Sequence, residues 1–117
     1  MVLDSVSEPG SCNEVILRGR VAAEAQERVL PSGDCIVTAR VIVDRDAQSL
    51  KHSSQRVDTI DCVAWTTRSQ RSMRGWGQGD QVEVRGSMRR RFFRTPGGPA
   101  SRVEVEVKTT KKVRSAA

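Results

Sequence analysis

At 117 residues, with 20 Lys and Arg against 14 Asp and Glu, the chain carries a net charge of +6 and a pI near 10.0. This length suits one domain with a single modest core, and the charge favours a polyanionic partner or an anionic surface. No stretch approaches the roughly 18 apolar residues of a membrane-spanning helix, and residues 1–12 have neither the basic start nor the apolar run of a leader, so a soluble, cytoplasmic protein with no membrane partner is expected.

Charge is unevenly spread. Residues 1–67 hold 7 basic and 10 acidic side chains, whereas residues 68–117 hold 13 basic and 4 acidic. The positive potential therefore belongs to the C-terminal half. Cys12, Cys35 and Cys62 are odd in number and far apart, which fits neither a disulfide framework nor a CxxC metal site. Cys35 and Cys62 fall in apolar runs and read as small core residues. His52 is the single histidine, in a polar stretch, and a metal site needs several converging ligands. No metal or cofactor is expected.

The first strand is predicted over residues 13–21, with Val15, Leu17, Gly19 and Val21 on one face and Glu14, Ile16, Arg18 and Arg20 on the other. An irregular stretch to Leu30 follows, and Pro31-Ser32-Gly33-Asp34 has the chemistry of a hairpin turn. Residues 35–44 make the second strand, Val37, Ala39, Val41 and Val43 inward and Thr38, Arg40 and Ile42 outward. Residues 44–56 are polar and aperiodic, which predicts a long mobile loop or an extended hairpin arm. The third strand, residues 57–65, turns Ile60, Cys62 and Ala64 inward and leaves Thr59, Asp61, Val63 and Trp65 outward.

Residues 66–76 predict a short helix, capped by Thr67 or Ser69 and ended by Gly75 and Gly77, with Met73 and Trp76 on one face. In the fourth strand, 81–91, Val82, Val84, Gly86 and Met88 point inward and Glu83, Arg85, Ser87 and Arg89 outward. Residues 95–99, Thr-Pro-Gly-Gly-Pro, make a turn or loop tip. The last strand, 102–108, alternates Val103, Val105 and Val107 with Glu104 and Glu106. Three strands, a short helix and two strands is the order of a five-stranded Greek-key barrel, the OB-fold. The expected organisation is a flexible segment over 1–12, an all-β OB domain over 13–108 and a frayed basic tail over 109–117.

Such barrels bind oligonucleotides or oligosaccharides around strands two and three, and the basic half favours a phosphate polyanion. Met88-Arg89-Arg90-Arg91-Phe92-Phe93-Arg94 interleaves four arginines with two aromatics. Arginine neutralises phosphates, and an aromatic face stacks on any base. Alternation groups Arg89, Arg91 and Phe93 on one side, with Phe93 as a stacking platform and Arg94 beside it. The plainer reading makes Phe92 a barrel plug and the arginines a solvated edge. Trp65, outward on its strand, is a second platform or an oligomer contact, while Trp76 covers one end of the barrel. Arg18, Arg20, Arg40, Arg45, Lys51 and Arg56 lie on outward strand positions or in the long loop, where they would track a nucleic-acid backbone on the face of Trp65.

Catalysis is not expected. Asp58 and Asp61 point to opposite faces of one strand, and the chain has no GxxxxGK[ST] loop, no HExxH and no histidine to serve a nucleophile.

The segments Asn13–Arg20, Arg28–Gly33, Val57–Trp65, Gly79–Met88 and Arg102–Val107, in this order and spacing, resemble the DNA-binding domain of the bacterial single-stranded DNA-binding proteins. The resemblance implies an OB barrel, usually a homotetramer, that wraps single-stranded DNA over aromatic and basic residues and protects it during replication, repair or recombination. It places Trp65 and Phe93 at aromatic stacking positions of the family. Thr59 and Ala47 stand at or near two further positions where the family has aromatics. With aromatics at 3% and no Tyr, the arginines should carry more of the binding, and affinity should fall steeply with salt. The family's acidic tail, which recruits replication and repair enzymes, has no counterpart in Lys111–Ala117. The resemblance is therefore to an accessory paralogue, with no recruitment through such a tail. Two other readings remain open on the residues: a protein-interaction scaffold on an OB frame, and an RNA-binding OB module, since charge and stacking do not sense the 2′-OH.

Overall fold

Valine and isoleucine at alternate positions suit a pleated, half-buried surface and build the strands. The computed structural model describes residues 10–116. Its elements are β1 (Val15–Val21), β2 (Gln26–Val29), β3 (Cys35–Asp44), α1 (Ala47–Leu50), β4 (Val57–Ala64), α2 (Thr67–Arg74), β5 (Gln81–Thr95) and β6 (Gly98–Arg114). Of the segment expected over 1–12, residues 1–9 lie outside the described residues, and 10–12 have no regular structure.

The strands form one sheet in the order β1-β5-β6-β4-β3-β2, and β1 also pairs with β3, which closes the sheet on itself. Among the described residues only β4 and β6 pair in parallel, Cys62 beside Val105 and Val63 beside Glu106. This is the all-β OB arrangement, with β2 added as a short hairpin partner of β3. Inside, Val21, Val37, Val41, Cys62, Ala64, Val82, Val84, Val105 and Val107 form one cluster with Met73 of α2 and Trp76. Burial pushes the Cys62 thiol up to about 12, so it stays a neutral packing group. Two glycines let strands approach where a side chain has no room. A Cβ on Gly19 would collide with the Ile42 carbonyl oxygen, and one on Gly86 with that of Glu106.

Helix α2 is fixed at both ends. The Thr66 hydroxyl accepts the Ser69 amide at 3.2 Å, so the cap lies one residue before the expected Thr67, and Gly75 ends the helix. The Gln70 side-chain amide donates to the carbonyls of Cys35 (2.8 Å), Ala64 (3.2 Å) and Trp65 (3.3 Å), tying α2 to the ends of β3 and β4.

Several expectations change. The stretch before Leu30 contains β2, whose Gln26–Val29 pair with Thr38–Cys35, and Gly33 at φ +93° makes the turn. Cys35, expected in the core, is exposed, because it opens β3 beside that turn and opposite the equally exposed Val29. The 44–56 stretch is closed at its base, where the Arg45 amide donates to the Arg56 carbonyl at 2.8 Å, and it carries the single turn of α1. Met88, expected inward, is 51% exposed, because β5 has left the barrel by that point and continues as a hairpin arm.

The final strand is longer at both ends than expected. It begins at Gly98, after a two-residue turn at Pro96-Gly97, and runs to Arg114 instead of fraying after Lys108. Asp80 holds its end, accepting the Gly77 and Ala116 amides at 2.8 Å each and the Lys112 ammonium at 3.0 Å. These donors, led by the Ala116 amide, hold the Asp80 carboxyl down at about 2.

Candidate nucleic-acid interface

Counting back from the Pro96-Gly97 turn, the hairpin register sets Arg91 directly opposite Arg102, Arg89 opposite Glu104 and Phe93 opposite Ala100. Directly opposed residues share a face, so Arg89, Arg91, Phe93, Arg102 and Glu104 lie on one side of the arm. Arg90 pairs with Val103 and Phe92 with Ser101 on the other side. The parallel pairing of β4 with β6 brings Asp61, one position before the Cys62–Val105 pair, beside Glu104. Antiparallel pairing sets Arg40 opposite Asp61.

Arg40, Asp61, Arg91, Arg102 and Glu104 line a groove of about 360 Å³, completed by Gln26 and Arg28 of β2 and the Ala22–Glu24 turn. Inside it, the Arg40 Nε donates to Asp61 at 3.0 Å, and the Arg102 Nη1 lies 4.0 Å from the other oxygen of the same carboxylate. The Arg91 Nε is 3.8 Å from Glu104, too long for a hydrogen bond. The Nε–H groups of both Arg91 and Arg102 are buried with no acceptor among the described residues. A buried donor left unpaired costs about 1–3 kcal/mol. Both Nε atoms are closed to solvent, so an anionic oxygen entering the groove would relieve that cost only where the two side chains swing to meet it. The Arg102 guanidinium also lies over the Phe93 ring, 5.5 Å from its centroid, a cation–π distance.

The other expected contacts fall outside this groove. Arg18 and Arg20 line a separate depression with Ile42, Asp44 and Gln81, although Arg20, opposite Ile42, lies on the same outer face of the sheet as Arg40. The Arg18 Nε donates at 2.7 Å to Glu83, itself 5% exposed, and this bond leads in holding the Glu83 carboxyl below its ordinary range. Removing Arg18 to a phosphate would leave a nearly buried carboxylate with only the longer Arg85 bond at 3.4 Å, a costly exchange. Arg20 bonds Asp44 at 3.1 Å, with both partners largely exposed, so it exchanges readily. Arg45 grips both oxygens of Asp58, its Nη2 at 2.8 Å and Nε at 3.1 and 3.2 Å. It braces the base of the 44–56 arm. Lys51 ends α1 and Arg56 follows the arm; both are exposed. Arg89 bonds Glu106 at 3.0 Å, and Arg94 is exposed beside the hairpin tip.

Of the aromatics, Trp65 is 40% exposed just past the end of β4, outside the groove, and Trp76 is buried at 4%. Phe92 is no barrel plug: it is 75% exposed on the far side of the arm. Sequence reasoning missed Arg102 and Arg28. Arg102 was legible once the two-residue turn at Pro96-Gly97 was placed, because register then puts it opposite Arg91. Arg28 was hidden in the stretch read as irregular. Among the described residues no cluster of three or more His, Cys, Asp or Glu side chains could hold a metal, and no helix is long and apolar enough to cross a membrane.

Comparison with known proteins agrees with this architecture. No curated protein is significantly similar in sequence. Among solved structures, the chain is similar to a Plasmodium falciparum SSB in complex with ssDNA, with a TM-score of 0.66 and 21% identity over 89% of this chain and 95% of that one. At that identity the likeness is one of fold. The family model for the single-strand binding proteins, a non-enzymatic DNA-binding family, matches residues 12–113. That match runs from the residue before Asn13 almost to the end of β6, taking in the whole closed sheet and its arginine-lined groove, and the chain therefore belongs to the single-strand binding protein family.

Proposed function

We propose that this protein binds single-stranded DNA without sequence preference, through arginine–phosphate contacts in the groove and base stacking on exposed aromatics. One observation carries the reading: Arg91 and Arg102 face each other across the hairpin, each with a buried Nε–H that has no acceptor. A phosphodiester oxygen supplies that acceptor whatever base it carries, and guanidinium suits it better than ammonium because its donors are fixed in a planar fork. The partly exposed Asp61 holds Arg40 and Arg102 and gives way at modest cost, whereas the nearly buried Glu104 stays beside Arg91.

The test is replacement of Arg91 and Arg102 by Lys, which keeps the charge and removes the Nε donors. Affinity for oligo-dT falls at least several-fold at moderate salt if the fork matters. Unchanged affinity would overturn this mode of binding. On this reading the protein acts as a homotetramer in the cytoplasm, covering single strands exposed in replication, repair or recombination. A solution mass of four 12.9 kDa chains supports that assembly, and a mass of one chain contradicts it.

A further inference from the structure

We infer that the single strand does not end its path at the groove but continues past Trp65 onto the outer face of α2, held there by Lys108, Arg68 and Arg71. This inference rests on the single-strand DNA reading above.

Lys108 is the extra residue of a β-bulge. Gly86 pairs with Val107 and Arg85 with Thr109, so Lys108 has no partner across the hairpin. A bulge re-aims a side chain and bends the strand. The last parallel pair of β4 and β6 is Val63 with Glu106, so Trp65, just past the end of β4, and Lys108 each lie two residues beyond it on adjoining segments. Both are exposed. The Trp65 carbonyl is held by the Gln70 amide and Thr66 caps α2, so Trp65 and the helix form one rigid unit.

Helix α2 buries Ser69, Gln70 and Met73 and leaves Arg68 and Arg71 on its exposed side. Arg71, in the last turn, suits the negative end of the helix dipole; Arg68, in the first turn, works against the positive end, where acidic residues are favoured and none is present. Helix stability therefore gives no reason for Arg68. Unlike Arg40, Arg89 and Arg91, none of Arg68, Arg71 and Lys108 has a carboxylate within ion-pair distance among the described residues. Three unopposed cations beside an exposed indole is the combination that tracks a phosphate backbone while stacking a base.

The experiment is the salt dependence of binding to a long oligo-dT for the wild type and for the Arg68→Ala, Arg71→Ala, Lys108→Ala triple variant. Each phosphate contact on a single strand contributes about 0.7 to the slope of log affinity against log salt, so the triple variant loses about 2 units of slope. The single Lys108→Ala variant loses about 0.7, which gives a readout even if the triple variant is poorly folded. The charge-conserving set Arg68→Lys, Arg71→Lys, Lys108→Arg keeps the wild-type slope. A wild-type slope in both neutral variants overturns the extended path while leaving the groove reading intact. Absence of oligo-dT binding by the wild type overturns both.

Discussion

The Arg102 guanidinium lies 5.5 Å from the centroid of the Phe93 ring. The two residues are diagonal neighbours on the hairpin, since Phe93 is opposite Ala100 and Arg91 opposite Arg102. The ring is thereby held on the groove side of the arm, half-buried, with its orientation set before any ligand arrives. Phe93→Ala should lower oligo-dT affinity by the stacking contribution of about 1–3 kcal/mol, roughly 5- to 150-fold. Phe92→Ala, on the opposite side, should change affinity less than about twofold, in line with a surface substitution away from the site. An inverted ranking of the two variants would move the strand to the far face of the arm.

Tryptophan fluorescence separates the two indoles. Trp76 is 4% exposed and packed in the core, whereas Trp65 is 40% exposed. Base stacking should quench the wild-type signal, and Trp65→Phe should abolish most of the quench while retaining affinity, because a phenyl face still stacks. Full quenching in that variant would place the binding surface near Trp76.

Gly86 limits the closure of the barrel. A Cβ there meets the Glu106 carbonyl oxygen, and backbone cannot swing aside as a flexible side chain does. Gly86→Ala should destabilise the protein by about 1–3 kcal/mol, the usual range for overpacking, and lower its thermal midpoint by several degrees. An unchanged midpoint would mean that β5 and β6 are not this closely apposed.

Asp80 links stability to acid. Its carboxyl titrates at about 2 in the folded chain, depressed from 3.8, so between those values the unfolded chain binds more protons. Stability therefore rises with pH through this window: the contribution is fully present above about pH 4 and is lost as pH falls toward 2. Asp80→Asn should be less stable than the wild type at neutral pH and should lose less stability between pH 4 and pH 2, measured by denaturant unfolding. Parallel pH profiles for the two proteins would show that the three donors do not favour the charged form.

The five main strands and most of the core were legible because they follow from alternation, although Val63, expected outward, is buried. Val37, Val41, Val82 and Val84 each fall where period two puts them, and Met73 and Trp76 share one helical face; all six are buried. What sequence did not reveal depends on which charge meets which. Arg45 and Arg56 looked alike as loop cations, yet Arg45 is clamped on Asp58, 13 positions away, and Arg56 is exposed. Arg18 and Arg40 both alternate outward, but Arg18 serves a nearly buried Glu83 across one seam and Arg40 reaches Asp61 in the groove across another. Strand parity says that a side chain points outward. It takes register to say which outward surface that is. Lys108 shows the same limit, because a bulge leaves no mark on the alternation of Val103, Val105 and Val107.

Titration of the protein with oligo-dT, duplex DNA and oligo-rU at two salt concentrations separates single-strand DNA binding from general basicity. Oligo-dT should bind far more tightly than the duplex, quench Trp65 and weaken steeply with salt as counterions return to the phosphates. Comparable weak binding to all three would contradict single-strand DNA binding, leaving a basic OB domain whose arginines serve its own carboxylates.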